Sequence, residues 1–368
     1  MTAFHGSSRK VSAMKRTLLL AMAAVAAGGL LAAPGHRVVG SGVGGNSPYA
    51  TDAYPGFDGL DDLPKPERRE KAWLSWWLSV ERETPAEQLA YAKELAENDS
   101  IKKACKMCDA LVREWPASPE APKAQLMYAM LLAKSLQDYD EAFEQLDYLL
   151  DFYPRACAYA ELVEYQYKLV NLMLQEKKSF LGMSFTSTRV MRQHYEMIVR
   201  RAPGAKYVPE AMLKIADLRE QDQQYEEAVL VYAALINRFP ASPEAQVAAY
   251  LQAKARMWLV RRLAYNLPRC KDTASYLQLT LKRLPDHANA AEMQGWLDEL
   301  KAYMAEDAYV RAKFYDSRQR TAHAAVSAYE RFLQEYPESS HAEEVSRRID
   351  ELKGVKSAET TETKGEDR

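Results

Sequence analysis

Trp115-Pro116-Ala117-Ser118-Pro119-Glu120-Ala121 returns, with one aromatic exchanged, as Phe239-Pro240-Ala241-Ser242-Pro243-Glu244-Ala245. Proline has no backbone N–H and its ring clashes with the preceding turn, so it ends a helix. A serine two residues later can accept from the unpaired N–H groups that open the next helix. Looser copies of the same ending are Tyr153-Pro154, Ala202-Pro203, Leu284-Pro285 and Tyr336-Pro337, the last continuing Glu338-Ser339-Ser340. A chain that repeats one stop-and-restart signal six times is assembled from repeated helical units.

Aligning backward from each proline extends the pattern. Twelve residues before it stand Ala104, Ala142, Met191, Ala228, Thr273 and Ala325; eight before stand Cys108, Leu146, Tyr195, Tyr232, Leu277 and Tyr329. Five before stand Leu111, Leu149, Ile198, Leu235, Thr280 and Phe332, and four before stand Val112, Leu150, Val199, Ile236, Leu281 and Leu333. Offsets of this kind share one face of a helix with 3.6 residues per turn, so these positions form the candidate core. The order Ala, aromatic, Pro resembles the tetratricopeptide pattern of two antiparallel helices per repeat. The prolines are spaced by 38, 49, 37, 45 and 52 residues, so the array is irregular. The longest spacing contains Asn289 to Arg318, which has no proline and one glycine, Gly295, and reads as one long helix. The fold class is therefore all-α, a tetratricopeptide-type superhelix of about five to six helical hairpins. Stacked hairpins bury a continuous core and leave an extended groove, an architecture suited to holding peptides or other domains.

The flanks read differently. Lys10, Lys15 and Arg16 precede an apolar run from Leu18 to Leu31 and then Ala32-Ala33-Pro34, the order of a secretory signal, assigned to residues 1–33. Residues 34–66, rich in Gly and Pro, are read as a flexible linker, and 67–353 as the repeat domain. The tail 354–368 offers almost nothing to bury and is expected to be disordered. Cys105, Cys108, Cys157 and Cys270 all lie far from the cleavage region, so the mature protein is expected to carry no lipid.

Few residues invite chemistry. The net charge of −2 leaves no electrostatic footprint for nucleic acid. The pairs Arg200-Arg201, Arg261-Arg262 and Arg347-Arg348 read as solvated helix faces. Cys105-x-x-Cys108 has redox or metal spacing, but both fall on aligned core positions, where Cys acts as a small hydrophobe. Gly40-Ser41-Gly42-Val43-Gly44-Gly45 matches a nucleotide-binding fingerprint only formally, without the strand before it and the helix after it. His194, His287, His323 and His341 are scattered and read as surface or turn residues. Trp73, Trp76 and Trp77, with Leu74 and Leu78, make a helical stripe that would cap the first repeat. No catalytic residue, cofactor or metal site is expected.

Two stretches narrow the reading. Phe180-Leu181-Gly182-Met183-Ser184, followed by a helix ending Val199-Arg200-Arg201-Ala202-Pro203-Gly204-Ala205-Lys206-Tyr207, resembles the BamD family. That family carries a Phe-Phe-Gly-x-Asp loop and then an Arg-Arg-Tyr-Pro-Asn-Ser-like string; Leu181, Ser184 and Ala202 depart from it. The helix from Met304 through Ala312-Lys313-Phe314-Tyr315-Asp316-Ser317-Arg318, continuing to Ala324-Ala325-Val326 and Tyr336-Pro337, resembles the family's fourth repeat. There Gln319-Arg320-Thr321 lacks the family's glycine, and Ala328 stands where Arg is common. The resemblance covers roughly Thr84 to Lys353.

It implies a periplasmic scaffold, or one at the periplasmic face of the outer membrane, that assists insertion of β-barrel proteins through protein–protein contacts. The expected partners are outer-membrane assembly subunits or unfolded β-barrel substrates, with no nucleic acid and no small-molecule substrate. The alternative is a general periplasmic adaptor in cell-envelope maintenance. Arg311, Tyr315, Arg318 and Arg320 are the candidate partner-binding residues, on the exposed side of the long helix and its turn.

Overall fold

The computed structural model describes residues 79–179, 187–317 and 322–362. The signal segment, the linker, the glycine fingerprint, the tryptophan stripe and the Phe180–Ser184 loop lie outside these residues. The described helices group into two compact units divided between Asp222 and Gln223. The first holds α1 (Pro85–Glu97), α2 (Ile101–Glu114), α3 (Ala121–Leu131), α4 (Tyr139–Phe152), α5 (Tyr159–Ser179), α6 (Thr188–Arg201) and α7 (Val208–Gln221). The second holds α8 (Tyr225–Arg238), α9 (Pro243–Arg262), α10 (Leu267–Arg283), α11 (Ala290–Ser317), α12 (Ala322–Glu335) and α13 (Ala342–Glu362). Consecutive helices pack on one another within each unit. Five hairpins are complete inside the units: α1–α2, α3–α4, α5–α6, α9–α10 and α11–α12. This is the all-helical hairpin architecture expected from the proline alignment.

The prolines act as the sequence implies. Trp115, Tyr153, Ala202, Phe239 and Leu284 each cap the C-terminus of the helix before their proline. In the two matching strings Ser118 Oγ accepts from Ala121 N at 3.2 Å, and Ser242 Oγ accepts from Ala245 N at 3.1 Å. All residues at the offsets twelve, eight and five are buried. The long helix is observed as α11, 28 residues from Ala290 to Ser317. α13 continues to Glu362, so the boundary placed at Gly354 falls inside a helix. The Lys, Ala and Glu residues past Gly354 are good helix formers and extend the turn already in place.

Three hairpin turns among the described residues reverse on non-glycine residues in left-handed backbone: Asp99 (φ 66°) after α1, Gln137 (φ 56°) after α3, and the pair Ala264 and Tyr265 (φ 49° and 55°) after α9. This geometry frees the chain from the helix, but it crowds any Cβ. Gln137→Gly is expected to stabilise the fold by about 0.5–1 kcal/mol, read as a shift of the urea midpoint. An unchanged midpoint would show that the turn carries no such strain.

The sequence did not announce a set of buried glutamines. Gln88, Gln125, Gln166 and Gln252 are all buried, one each on α1, α3, α5 and α9. Their side-chain amides donate to backbone carbonyls of a neighbouring helix: Gln88 to Met107 (3.3 Å), Gln125 to Gln145 (2.8 Å), Gln166 to Phe143 (3.4 Å) and Gln252 to Val229 (3.2 Å). A helical carbonyl keeps a second lone pair after its own ladder bond, and the glutamine uses it. These bonds fix the register of one helix against the next.

Candidate protein-docking surface

The candidate surface lies at the C-terminal end of α11. Val310, Phe314 and Tyr315 are 55%, 53% and 51% exposed within two helical turns. Val310 and Phe314 share one face, and Tyr315 lies about 100° around the helix from Phe314, so the three form a broad exposed strip over two adjoining faces. Phe314 and Tyr315 meet edge to face with centroids 6.0 Å apart. Arg311 lies on the same side, with Nη2 2.9 Å from Asp307 and Nε donating to the Asp307 carbonyl at 3.3 Å. Arg311 and Tyr315 are thus brought together as the sequence placed them; Arg318 and Arg320 lie outside the described residues.

The opposite side of α11 is anchored. Asp316 accepts two parallel bonds from Arg348 on α13, at 2.8 and 3.0 Å, and one from the Tyr329 hydroxyl on α12 at 3.2 Å. The Arg348 guanidinium holds the Asp316 carboxyl below its ordinary range. Tyr309 stacks on His341 with centroids 4.0 Å apart and donates to Glu344 at 2.7 Å. His341 also pairs with Glu306 at 2.8 Å. Tyr309, Lys313, Asp316, Tyr329, Glu344 and Arg348 line a shallow polar cleft of about 340 Å³. Bidentate Arg–carboxylate geometry gives orientation as well as energy, so these bonds tie α11 to α12 and α13 and leave its aromatic strip outward.

In the arginine pairs Arg200, Arg261, Arg262 and Arg347 are exposed, as expected of solvated faces, yet one member of each pair also bridges helices. Arg201 on α6 pairs with Asp147 and Asp151 on α4, at 2.5 and 2.8 Å. Arg261 on α9 pairs with Glu299 on α11 at 2.6 Å. Arg348 holds Asp316 as described. A solvated arginine and a bridging one share the same sequence signature, because the carboxylate partner lies tens of residues away. Phe314 and Val310 were likewise not singled out, although two more apolar residues one turn apart beside Tyr315 and Arg311 were a usable signal.

Cys105 and Cys108 are buried in the core of the first unit, as the alignment placed them, and neither forms a disulfide. Burial pushes the Cys105 thiol up to about 11 and Cys108 higher still. Thiolate is the reactive form, so Cys105, Cys108 and buried Cys270 are expected to resist a thiol reagent at neutral pH until the protein is unfolded. Half-buried Cys157 should react first; rapid native labelling of Cys105 or Cys108 would overturn their assignment to the core. Among the described residues no cluster of His, Cys, Asp and Glu could hold a metal ion. His287 accepts from Asn289 N in a turn and His323 is exposed, as expected. His194 is different: it is buried and stacked on Phe143 at 3.8 Å. Its neighbours Met191 and Tyr195 are core residues of α6, and the imidazole fills the adjoining space.

Residues 187–345 match the model of the YfiO family, described as an outer membrane lipoprotein. The outer membrane protein assembly factor BamD of Rickettsia prowazekii is 23% identical over 178 residues, which are 48% of this chain and 67% of that protein. This chain is thus similar to BamD over about half of its length. The segment that matches the YfiO model opens at Ser187, the cap of α6, and includes the whole aromatic strip of α11. Among solved structures, a tetratricopeptide repeat protein from Parabacteroides merdae is 14% identical, with 73% of this chain and 98% of that chain covered and a TM-score of 0.28. MamA from Desulfovibrio magneticus is 16% identical, with 59% and 94% covered and a TM-score of 0.25. No helix among the described residues is long and apolar enough to cross a membrane.

Proposed function

We propose that this chain is a periplasmic helical-repeat scaffold that assists assembly of outer-membrane β-barrel proteins by holding partner proteins, without catalysis or a cofactor. The observation that carries the reading is the coincidence of the segment that matches the YfiO model with an outward-facing aromatic strip on the anchored α11. Exposed aromatics are the side chains that interfaces favour, since they bring large contact area at low entropic cost. Val310, Phe314 and Tyr315 supply the apolar contact, and Arg311 supplies a charge beside it. The partner is an assembly subunit or an unfolded barrel substrate, and the site of work is the periplasmic face of the outer membrane.

Depletion of the protein in its own cells tests this. Porin levels in the outer membrane should fall, and a barrel-assembly subunit or a porin precursor should co-purify with the tagged chain. Unchanged porin levels with only cell-wall proteins co-purifying would reject barrel assembly in favour of a general envelope adaptor.

A further inference from the structure

We propose that the α9–α10 hairpin docks the protein on an anionic phospholipid surface. Residues 243–283 contain eight Lys or Arg against two acids, Glu244 and Asp272, inside a chain whose net charge is −2. Arg261 pairs with Glu299 and Arg269 with Glu226, which still leaves a local excess of four positive charges on one hairpin that the scaffold reading does not use.

The charges are well placed for a surface. At about 100° per residue, Lys271, Ser275, Leu279 and Lys282 fall on one side of α10, with Arg283 at its edge. All five are exposed, and Leu279 reaches 56%. Lys271, Lys282 and Arg283 make no side-chain hydrogen bond or ion pair among the described residues. Exposed cations elsewhere are often neutralised locally, as in Lys353 with Glu330, Lys168 with Glu164 and Arg311 with Asp307. Asp272, the one acid on α10, acts on Arg256, whose guanidinium lies 4.9 Å from the Tyr276 ring centroid. At the turn end of the hairpin Arg262 and Leu263 repeat the combination of an exposed cation and an exposed leucine.

The chemistry favours a membrane over an acidic protein. Lysine is a compact point charge suited to diffuse, mobile anions, whereas carboxylate-specific docking favours the arginine fork. Here the cations on the open side of α10 are spread along the helix over roughly 17 Å, the rise from Lys271 to Lys282. A lone leucine amid cations is suited to shallow insertion at the headgroup boundary, where basic residues add to binding through the negative surface potential.

Vesicle flotation of the full chain tests this. Three proteins are compared on phosphatidylglycerol-containing vesicles and on neutral phosphatidylcholine vesicles: the native chain, a Lys271→Gln, Lys282→Gln, Arg283→Gln triple variant, and a control with Lys93→Gln, Lys102→Gln and Lys106→Gln. The native chain and the control should bind the anionic vesicles more tightly than the neutral ones. The α10 triple variant should lose more than about tenfold of that preference, and salt should weaken the preference for all. Circular dichroism melts should match, since all six positions are exposed. An α10 variant that keeps the native preference, or a native chain without one, would overturn the proposal. Loss of binding only to an acidic protein would assign the patch to that partner instead. Porin levels do not enter this readout, so its failure and that of the scaffold reading are separable.

Discussion

Glu196→Ala is expected to lower the folding free energy by about 3–5 kcal/mol, the largest single loss foreseen in the first unit. Glu196 on α6 is buried, and its Oε1 accepts from Arg192 Nη1 at 2.9 Å and from Arg219 Nη2 at 3.0 Å. Arg219, on α7, is itself buried. Removing the carboxylate leaves two guanidinium groups facing a small cavity in poorly solvated surroundings. Losing the acceptor that both guanidinium groups share costs more than the intact cluster contributes relative to an apolar core. Glu196→Gln keeps the shape and one acceptor, so it should cost markedly less than Ala. Urea unfolding followed by far-ultraviolet circular dichroism gives both values. An Ala variant within about 0.5 kcal/mol of the native protein, the range of an ordinary surface change, would show that this cluster holds nothing together.

The second large effect is a dependence on pH. Burial lowers the His194 imidazole from 6.5 to about 4. Its Nδ1 lies 3.8 Å from the nearest Asp140 oxygen, too far for a hydrogen bond that would hold the charged form. In the unfolded chain the same imidazole titrates near its ordinary value. Between these two values the unfolded state binds a proton that the folded state refuses. The stabilisation is therefore fully present above about pH 6.5 and is lost as pH falls toward about 4. By pH 5 the loss from this residue should be about 2 kcal/mol. The check is the difference in urea-unfolding free energy between pH 7 and pH 5, compared with His194→Leu. The variant is expected to lack about that much of the decline; an identical decline in both proteins would contradict the assignment.

The fold was readable from sequence because helix ends and core faces are local properties. Proline at the end of α2 stops that helix whatever surrounds it, and Ala104, Cys108 and Leu111 fall on one side by geometry alone. The 28-residue α11 followed from the absence of any breaker. The features that were missed depend on residues distant in sequence. Gln252 looks like a surface residue until α9 is laid beside Val229 of α8. Arg201 looks solvated until α4 brings Asp147 and Asp151 to it. His194 is polar by composition and buried by its place beside Phe143. The candidate surface was half legible: Arg311 and Tyr315 were picked, but the strip owes most of its apolar area to Val310 and Phe314. Its anchorage comes from the Asp316–Arg348 bridge, which joins residues 32 positions apart.

The central claim is that the α11 strip holds a partner in outer-membrane assembly. A photo-crosslinking amino acid placed at Tyr315 in living cells tests it most directly, with a second at exposed Lys123 on α3 as reference. The account predicts a discrete adduct at 315 that contains a barrel-assembly subunit or a porin precursor, weakened by Phe314→Ala and absent at 123. No adduct at 315, or the same adducts at both positions, would contradict it.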